Sequence, residues 1–137
     1  MTIGLIFRLI LSFILSGIVG LEREVKYKPA GLRTHILVGL GSTLFTILSL
    51  EAFPGADTAR VAAYIIAGIG FIGAGTIIQT KEKIVGITTA GSIWITSAVG
   101  MAAGAGFYLV AIIVTILAYF TLKLEEIESK IRKKRKK

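Results

Sequence analysis

One stretch limits the folds open to this chain more than any other: Ala59–Gln79, ARVAAYIIAGIGFIGAGTIIQ. After Arg60 it carries no charge, and it is about as long as a helix must be to cross a bilayer. Glycines stand at 68, 70, 73 and 75, a poor choice for a helix in water. In lipid they are an asset, because small residues let two backbones approach closely. Ala63, Ala67, Gly70 and Ala74 fall along one helical face, so the stretch reads as a central transmembrane helix with a groove for a neighbour. Gly68-Ile-Gly-Phe-Ile-Gly73 also matches the G-x-G-x-x-G pattern of dinucleotide sites. That pattern works only between a strand and a helix, and no acidic residue follows at the required distance. Helix packing is the better reading, and no cofactor is called for.

Other apolar runs extend the same logic to the whole chain. Its 137 residues are 54% hydrophobic with mean hydropathy +0.80, which excludes an ordinary soluble domain and points to a polytopic membrane protein. The expected class is all-α, with five transmembrane helices packed through small-residue faces, spanning about 3–20, 35–50, 61–79, 87–104 and 106–122. Ser12, Ser16 and Gly20 form such a face on the first span, where Arg8 is the single charge. Ile87–Leu122 is 36 residues without a charge, long enough for two spans, and Gly104-Ala-Gly106 is the natural break. Thr88, Ser92, Thr96, Gly100 and Gly104 step by four before that break, the last two as a literal G-x-x-x-G.

The net charge of +8 is concentrated at one end. Seven of the 16 basic residues lie in Lys130–Lys137, and without them the chain stands at +1. A basic tail, 123–137, directly after an apolar helix suits anionic membrane lipid better than nucleic acid. Lys and Arg alternate between low and high counts along the loops. This places the N-terminus outside and the C-terminus in the cytoplasm.

Catalytic arrangements are missing: there is no cysteine, a single histidine, and no H-E-x-x-H or P-loop. The notable polar residues gather at the two mouths. On the cytoplasmic side stand Glu22, Arg23 and Glu24 after the first span and Arg33, Thr34 and His35 before the second, where Glu22 or Glu24 would pair with Arg33. On the outer side stand Asp57, a candidate N-cap, and Arg60, with Arg8 expected to snorkel or to pair with Asp57 or Glu51. All eight acids lie in loops or tail, which weighs against a magnesium path through a single chain.

Gly20-Leu-Glu-Arg-Glu24 followed by Ala30-Gly-Leu-Arg-Thr-His35 resembles the signature of the MgtC/SapB family of bacterial inner-membrane proteins. The likeness continues through Asp57-x-x-Arg60-Val-Ala-Ala63, Gly68-Ile-Gly-Phe-Ile-Gly-Ala-Gly-Thr76, Gly86-Ile-Thr-Thr-Ala90 and Gly100-Met-Ala-Ala-Gly-Ala-Gly-Phe107. The resemblance implies about five spans and a role in adaptation to low magnesium. It favours modulation of another membrane protein, such as a transporter or the ATP synthase, over magnesium transport. A homo-oligomer, most simply a dimer, or a partner's helix would use the small-residue groove. An oligomeric ion channel or carrier is the alternative, with Glu22, Arg33, Asp57 and Arg60 at its mouths. Two positions depart from the family pattern: Tyr64 stands where a polar residue is typical and Val85 where a basic one is. Many members add a soluble domain after the last helix; here a charged stub, Lys123–Lys137, follows it, and that domain's functions are not implied.

Overall fold

A computed structural model describes residues 2–81 and 83–135, the side chains of 132–135 excepted. The last two residues of the expected basic tail, and the side chains just before them, lie outside the described residues. Five helices follow in order: α1 (Thr2–Val25), α2 (Leu32–Glu51), α3 (Thr58–Ala74), α4 (Ile87–Gly104) and α5 (Tyr108–Arg135). Three of them, Thr2–Val25, Leu32–Glu51 and Tyr108–Ile131, are long and apolar enough to cross a membrane, and α3 is a shorter apolar helix. The expected all-α polytopic membrane architecture is the one observed.

Three boundaries differ from expectation, each for a local reason. The third helix stops at Ala74, not Gln79. Beyond it, Ile78–Gln79 (β1) pairs antiparallel with Ile84–Val85 (β2), turning the expected charged loop into a small hairpin. The first helix continues to Val25. Tyr27, at φ 52°, takes the left-handed position that closes it, with Lys28 N–H donating back to Arg23 O. The last helix runs far past Leu122 without a break, since Lys, Glu and Leu favour helix and no proline intervenes.

The central helix is α4, and not α3 as the glycine pattern suggests. α4 touches all four other helices, whereas α3 packs chiefly on α4 and, less extensively, on α2. The predicted groove on α3 faces away from the bundle: Ala63, Ala67, Gly70 and Ala74 are all exposed, and Ile69 and Gly73 are the residues α3 buries. No atom lies within 4 Å of where a Cβ would stand on Gly68 or Gly70. Gly73 meets Ala90 of α4, and Gly75 ends the helix as its C-cap. The G-x-G-x-x-G stretch lies inside α3 with no strand before it, so its backbone amides are spent on the helix.

The core lies between α1, α2 and α4, where small residues let backbones nearly touch. A Cβ on Gly100 would stand 2.5 Å from the carbonyl oxygen of Gly39, and one on Gly104 would stand 2.7 Å from that of Thr43. A Cβ on Gly39 would collide with the buried hydroxyl of Ser16. Hydroxyls bridge the same seam. Ser42 Oγ and Ser97 Oγ are 2.8 Å apart, and Thr43 Oγ1 contacts both Gly39 O (2.9 Å) and Gly100 O (2.8 Å). With no hydrophobic force between helices in lipid, close packing and such hydrogen bonds are what hold a bundle together.

Candidate functional site

The sequence-predicted polar cluster forms at one end of the bundle, but with different pairings. Glu22 and Arg23 are the two charged residues buried there, and Arg23 Nε donates a short hydrogen bond to Glu22 Oε2. Lys26, one turn on, brings its ammonium to 3.1 Å from Glu22 Oε1. Burial pulls Lys26 down, but its bonds to Glu22 and Glu126 prevail and hold it above the usual lysine range. Glu24 turns instead to the chain reversal, where its Oε2 accepts from the first amide of α2, Leu32 N–H, at 2.9 Å. That carboxylate satisfies a donor that Gly31, a cap without a side chain, leaves free. Arg33, expected to pair with Glu22 or Glu24, is exposed and makes no ion pair among the described residues. Thr34 is half-buried beside it.

His35 is the fully buried member of the cluster. Its Nδ1 lies 2.8 Å from Gly31 O, and its Nε2 lies 2.9 Å from Ser92 Oγ on α4. A carbonyl can only accept, so Nδ1 carries the proton in this contact, while Ser92 Oγ, within hydrogen-bond reach of Nε2, also donates to Thr89 O at 2.7 Å. The single histidine therefore ties the start of α2 to the central helix. Gly20 makes the approach possible, since a Cβ there would come within 2.9 Å of both His35 Cβ and Leu32 Cα.

The second half of the cluster comes from α5. Glu125 Oε1 accepts from Lys28 Nζ, and its Oε2 lies 3.7 Å from Arg23 Nη2 and 3.9 Å from Lys26 Nζ. Glu126 reaches Lys26 at 3.3 Å. A tail read as a basic anchor thus uses two of its three acids to grip the α1–α2 loop. The clue lies in Glu125-Glu126, three residues after the last apolar run, but a distance of about 100 residues in sequence hides the partner.

At the opposite end Arg8 does not snorkel freely. Its Nη1 donates to Gly104 O at 2.9 Å and lies 3.7 Å from Glu51, while Nε is 3.4 Å from Tyr108 Oη. It thereby stitches the end of α4 to α1, α2 and α5, and Phe7 stacks edge-on against Tyr108. Replacing Arg8 with alanine should cost about 1 kcal/mol, the pair being half-exposed. Reversible unfolding in mixed micelles would check this, with Glu51→Ala showing the smaller loss. Asp57 caps α3 as expected, its Oδ1 accepting from Ala59 N–H at 2.9 Å; both it and Arg60 are exposed. Tyr64 and Val85 are exposed too, Tyr64 on the rim of an apolar groove of about 540 Å³ between α2 and α3. Among the described residues no three His, Asp or Glu side chains converge in a way that would hold a metal ion.

The MgtC family model matches residues 9–130. The chain is 44% identical over 132 residues to "Putative magnesium transporter YhiD" of Escherichia coli K12, covering 90% of this chain and 61% of that protein. It is 37% identical to SrpB of Synechococcus elongatus, over 88% of this chain and 74% of the relative. It is 39% identical to MgtC of Brucella abortus, over 77% of this chain and 44% of the relative. The chain thus spans about six-tenths of the length of the E. coli relative and less than half of the Brucella one. No solved structure matches significantly.

Proposed function

Given that this chain belongs to the MgtC family of membrane proteins, we propose that it is a non-enzymatic inner-membrane protein supporting magnesium homeostasis by binding another membrane protein. The observation that carries this reading is the inversion of α3. Its small-residue face, Ala63, Ala67, Gly70 and Ala74, is bare in the folded chain, while the comparable faces of α1, α2 and α4 are filled by one another. Small residues at a lipid-facing surface gain nothing from lipid but admit a second helix closely. At the α2–α4 seam the hydroxyls of Ser42, Thr43, Ser92 and Ser97 are engaged in hydrogen bonds inside the bundle, while those of Ser12 and Ser16 on α1 have no partner among the described residues. The orientation that fits the charge counts has the Glu22–Arg23 end in the cytoplasm.

The partner would be a helix of a transporter or of the ATP synthase, with α3 of a second copy in a dimer as the other occupant. Gly70→Leu tests the surface cleanly, because no atom lies within 4 Å of its Cβ position and the chain keeps its fold. Cross-linking in membranes should lose the adduct made by the unaltered chain, and growth at limiting magnesium should fall together with it. Normal growth without the adduct would sink the reading.

A second reading rests on the transporter name of the E. coli relative. Under it, the purified chain in liposomes carries magnesium, and Asp57→Asn reduces flux. Asparagine caps a helix about as well as aspartate, so this change removes a charge and leaves α3 capped. No flux from folded, oriented protein would leave the partner-binding reading in place.

A further inference from the structure

Between the α1–α2 loop, the hairpin, the first turn of α4 and the charged part of α5 lies a cavity of about 820 Å³ that the functional reading leaves unused. Two independent features of its wall suit a negatively charged group. The first is the N-terminus of α4. Gly86, at φ 94°, precedes it with no side-chain cap, and Gly86, Ile87, Thr88 and Thr89 all line the cavity. An 18-residue helix presents its free amides and the positive end of its dipole there. The second is Arg23, 1% exposed, which lines the same cavity and whose Nη2 has no hydrogen-bond partner among the described residues. A buried guanidinium with an unsatisfied donor is costly unless something completes it.

Part of that completion comes from within the chain. Glu125 lies on the cavity wall with Arg23, Lys26 and Lys28 converging on its carboxylate, yet it approaches Arg23 Nη2 only to 3.7 Å, without a hydrogen bond. It is 46% exposed, so a competing anion can reach its place if it takes over the contacts to Lys28, Lys26 and Arg23. A carboxylate so placed shows that the cluster accepts an anion, and that it is incompletely served by this one. Glu128 also lines the cavity and sets a limit on how much negative charge it takes.

We propose that this cavity binds a phosphate group, held by Arg23, Lys28 and the amides opening α4, with Glu125 as a built-in competitor that the phosphate displaces. Arg pairs with phosphate through two parallel hydrogen bonds, which supply the contacts that a single carboxylate oxygen at 3.7 Å does not. Apolar side chains of the hairpin and α5, such as Val85 and Leu122, line the remaining wall and suit the glycerol and first methylenes of a phospholipid. The same phosphate chemistry is offered by inorganic phosphate. The proposal stands apart from the question of a protein partner.

The test uses the full chain in nanodiscs. Inorganic phosphate binding is followed by equilibrium dialysis in phosphatidylcholine discs, and phosphatidylglycerol binding by native mass spectrometry against phosphatidylcholine. Glu125→Gln should tighten whichever ligand binds, and Lys28→Gln should weaken it, each by about tenfold, the worth of one charge-assisted contact. Both variants alter exposed or half-buried side chains, so the fold persists. Arg23→Lys, which keeps the charge but loses the fork, should also weaken binding. Saturable uptake of inorganic phosphate identifies a soluble ligand; retention of phosphatidylglycerol alone identifies the lipid. Failure of both to bind the unaltered chain and Glu125→Gln, or binding indifferent to all three variants, overturns the proposal.

Discussion

Replacing Gly100 with alanine should destabilise the bundle by about 3 kcal/mol, the upper end of what overpacking a core costs. The added methyl would stand 2.5 Å from the carbonyl oxygen of Gly39 and 3.0 Å from Ser42 Cβ. The first of these is backbone, so no rotamer change relieves the clash and α2 and α4 must separate. Separation stretches two hydrogen bonds that cross the seam, Ser42 to Ser97 and Thr43 to Gly100 O, so the steric cost brings a polar cost with it. Gly91→Ala is the control on the same helix: nothing lies within 4 Å of its Cβ position, and the change should be neutral or slightly stabilising. Equal losses from the two would refute a seam governed by close approach. Steric trapping or titration with a denaturing detergent, with helicity followed by circular dichroism, makes the comparison.

Glu22→Gln should cost about as much, roughly 3 kcal/mol, because removing one partner of a buried ion pair strands the other. Both side chains of the Glu22–Arg23 pair are almost wholly buried, at 2% and 1% exposed, and Lys26 leans on the same carboxylate. The amide oxygen of glutamine still accepts a hydrogen bond, which keeps the loss at the lower end of the range for broken buried pairs. Glu125→Gln removes an equal charge from the same cluster but at a site 46% exposed, and should cost no more than about 1 kcal/mol. The contrast between these two glutamates is the measurement. If they cost the same, burial does not set the energetics of this end.

Much of the architecture could be read from residue pattern alone. Ser12, Ser16, Gly100 and Gly104 announce close helix contacts because their spacing and size serve no other purpose in a lipid-embedded helix. The charged residues flanking the first two spans mark one end of the bundle for a similarly simple reason, since charge is expelled from the membrane interior. What pattern cannot supply is the identity of the neighbour. The glycines of Gly68–Gly75 are more crowded than any in α4, yet it is α4 that the others surround. A face made for packing looks the same whether its mate lies in the same chain or elsewhere. The pairing of Glu22 with Arg23 was missed for another reason. Successive residues on a helix point apart, and only the length of an arginine allows the fork to curl back. Glu125 and Glu126 were hidden by sequence distance, and Val85 by a hairpin too short to show a strand pattern.

The order of the helices along the chain has a consequence for how the protein is made. α2 finds its polar mates on α4, with α3 and the hairpin synthesised between them. As the chain leaves the ribosome and enters the bilayer segment by segment, His35, Ser42 and Thr43 arrive before Ser92, Ser97 and Gly100 exist to receive them. During that interval α2 either keeps these groups turned toward α1 or presents them to lipid. A chain interrupted ahead of α4 would never complete that seam. Its unmatched polar seam is the kind of defect by which a membrane protease tells an unfinished protein from a finished one.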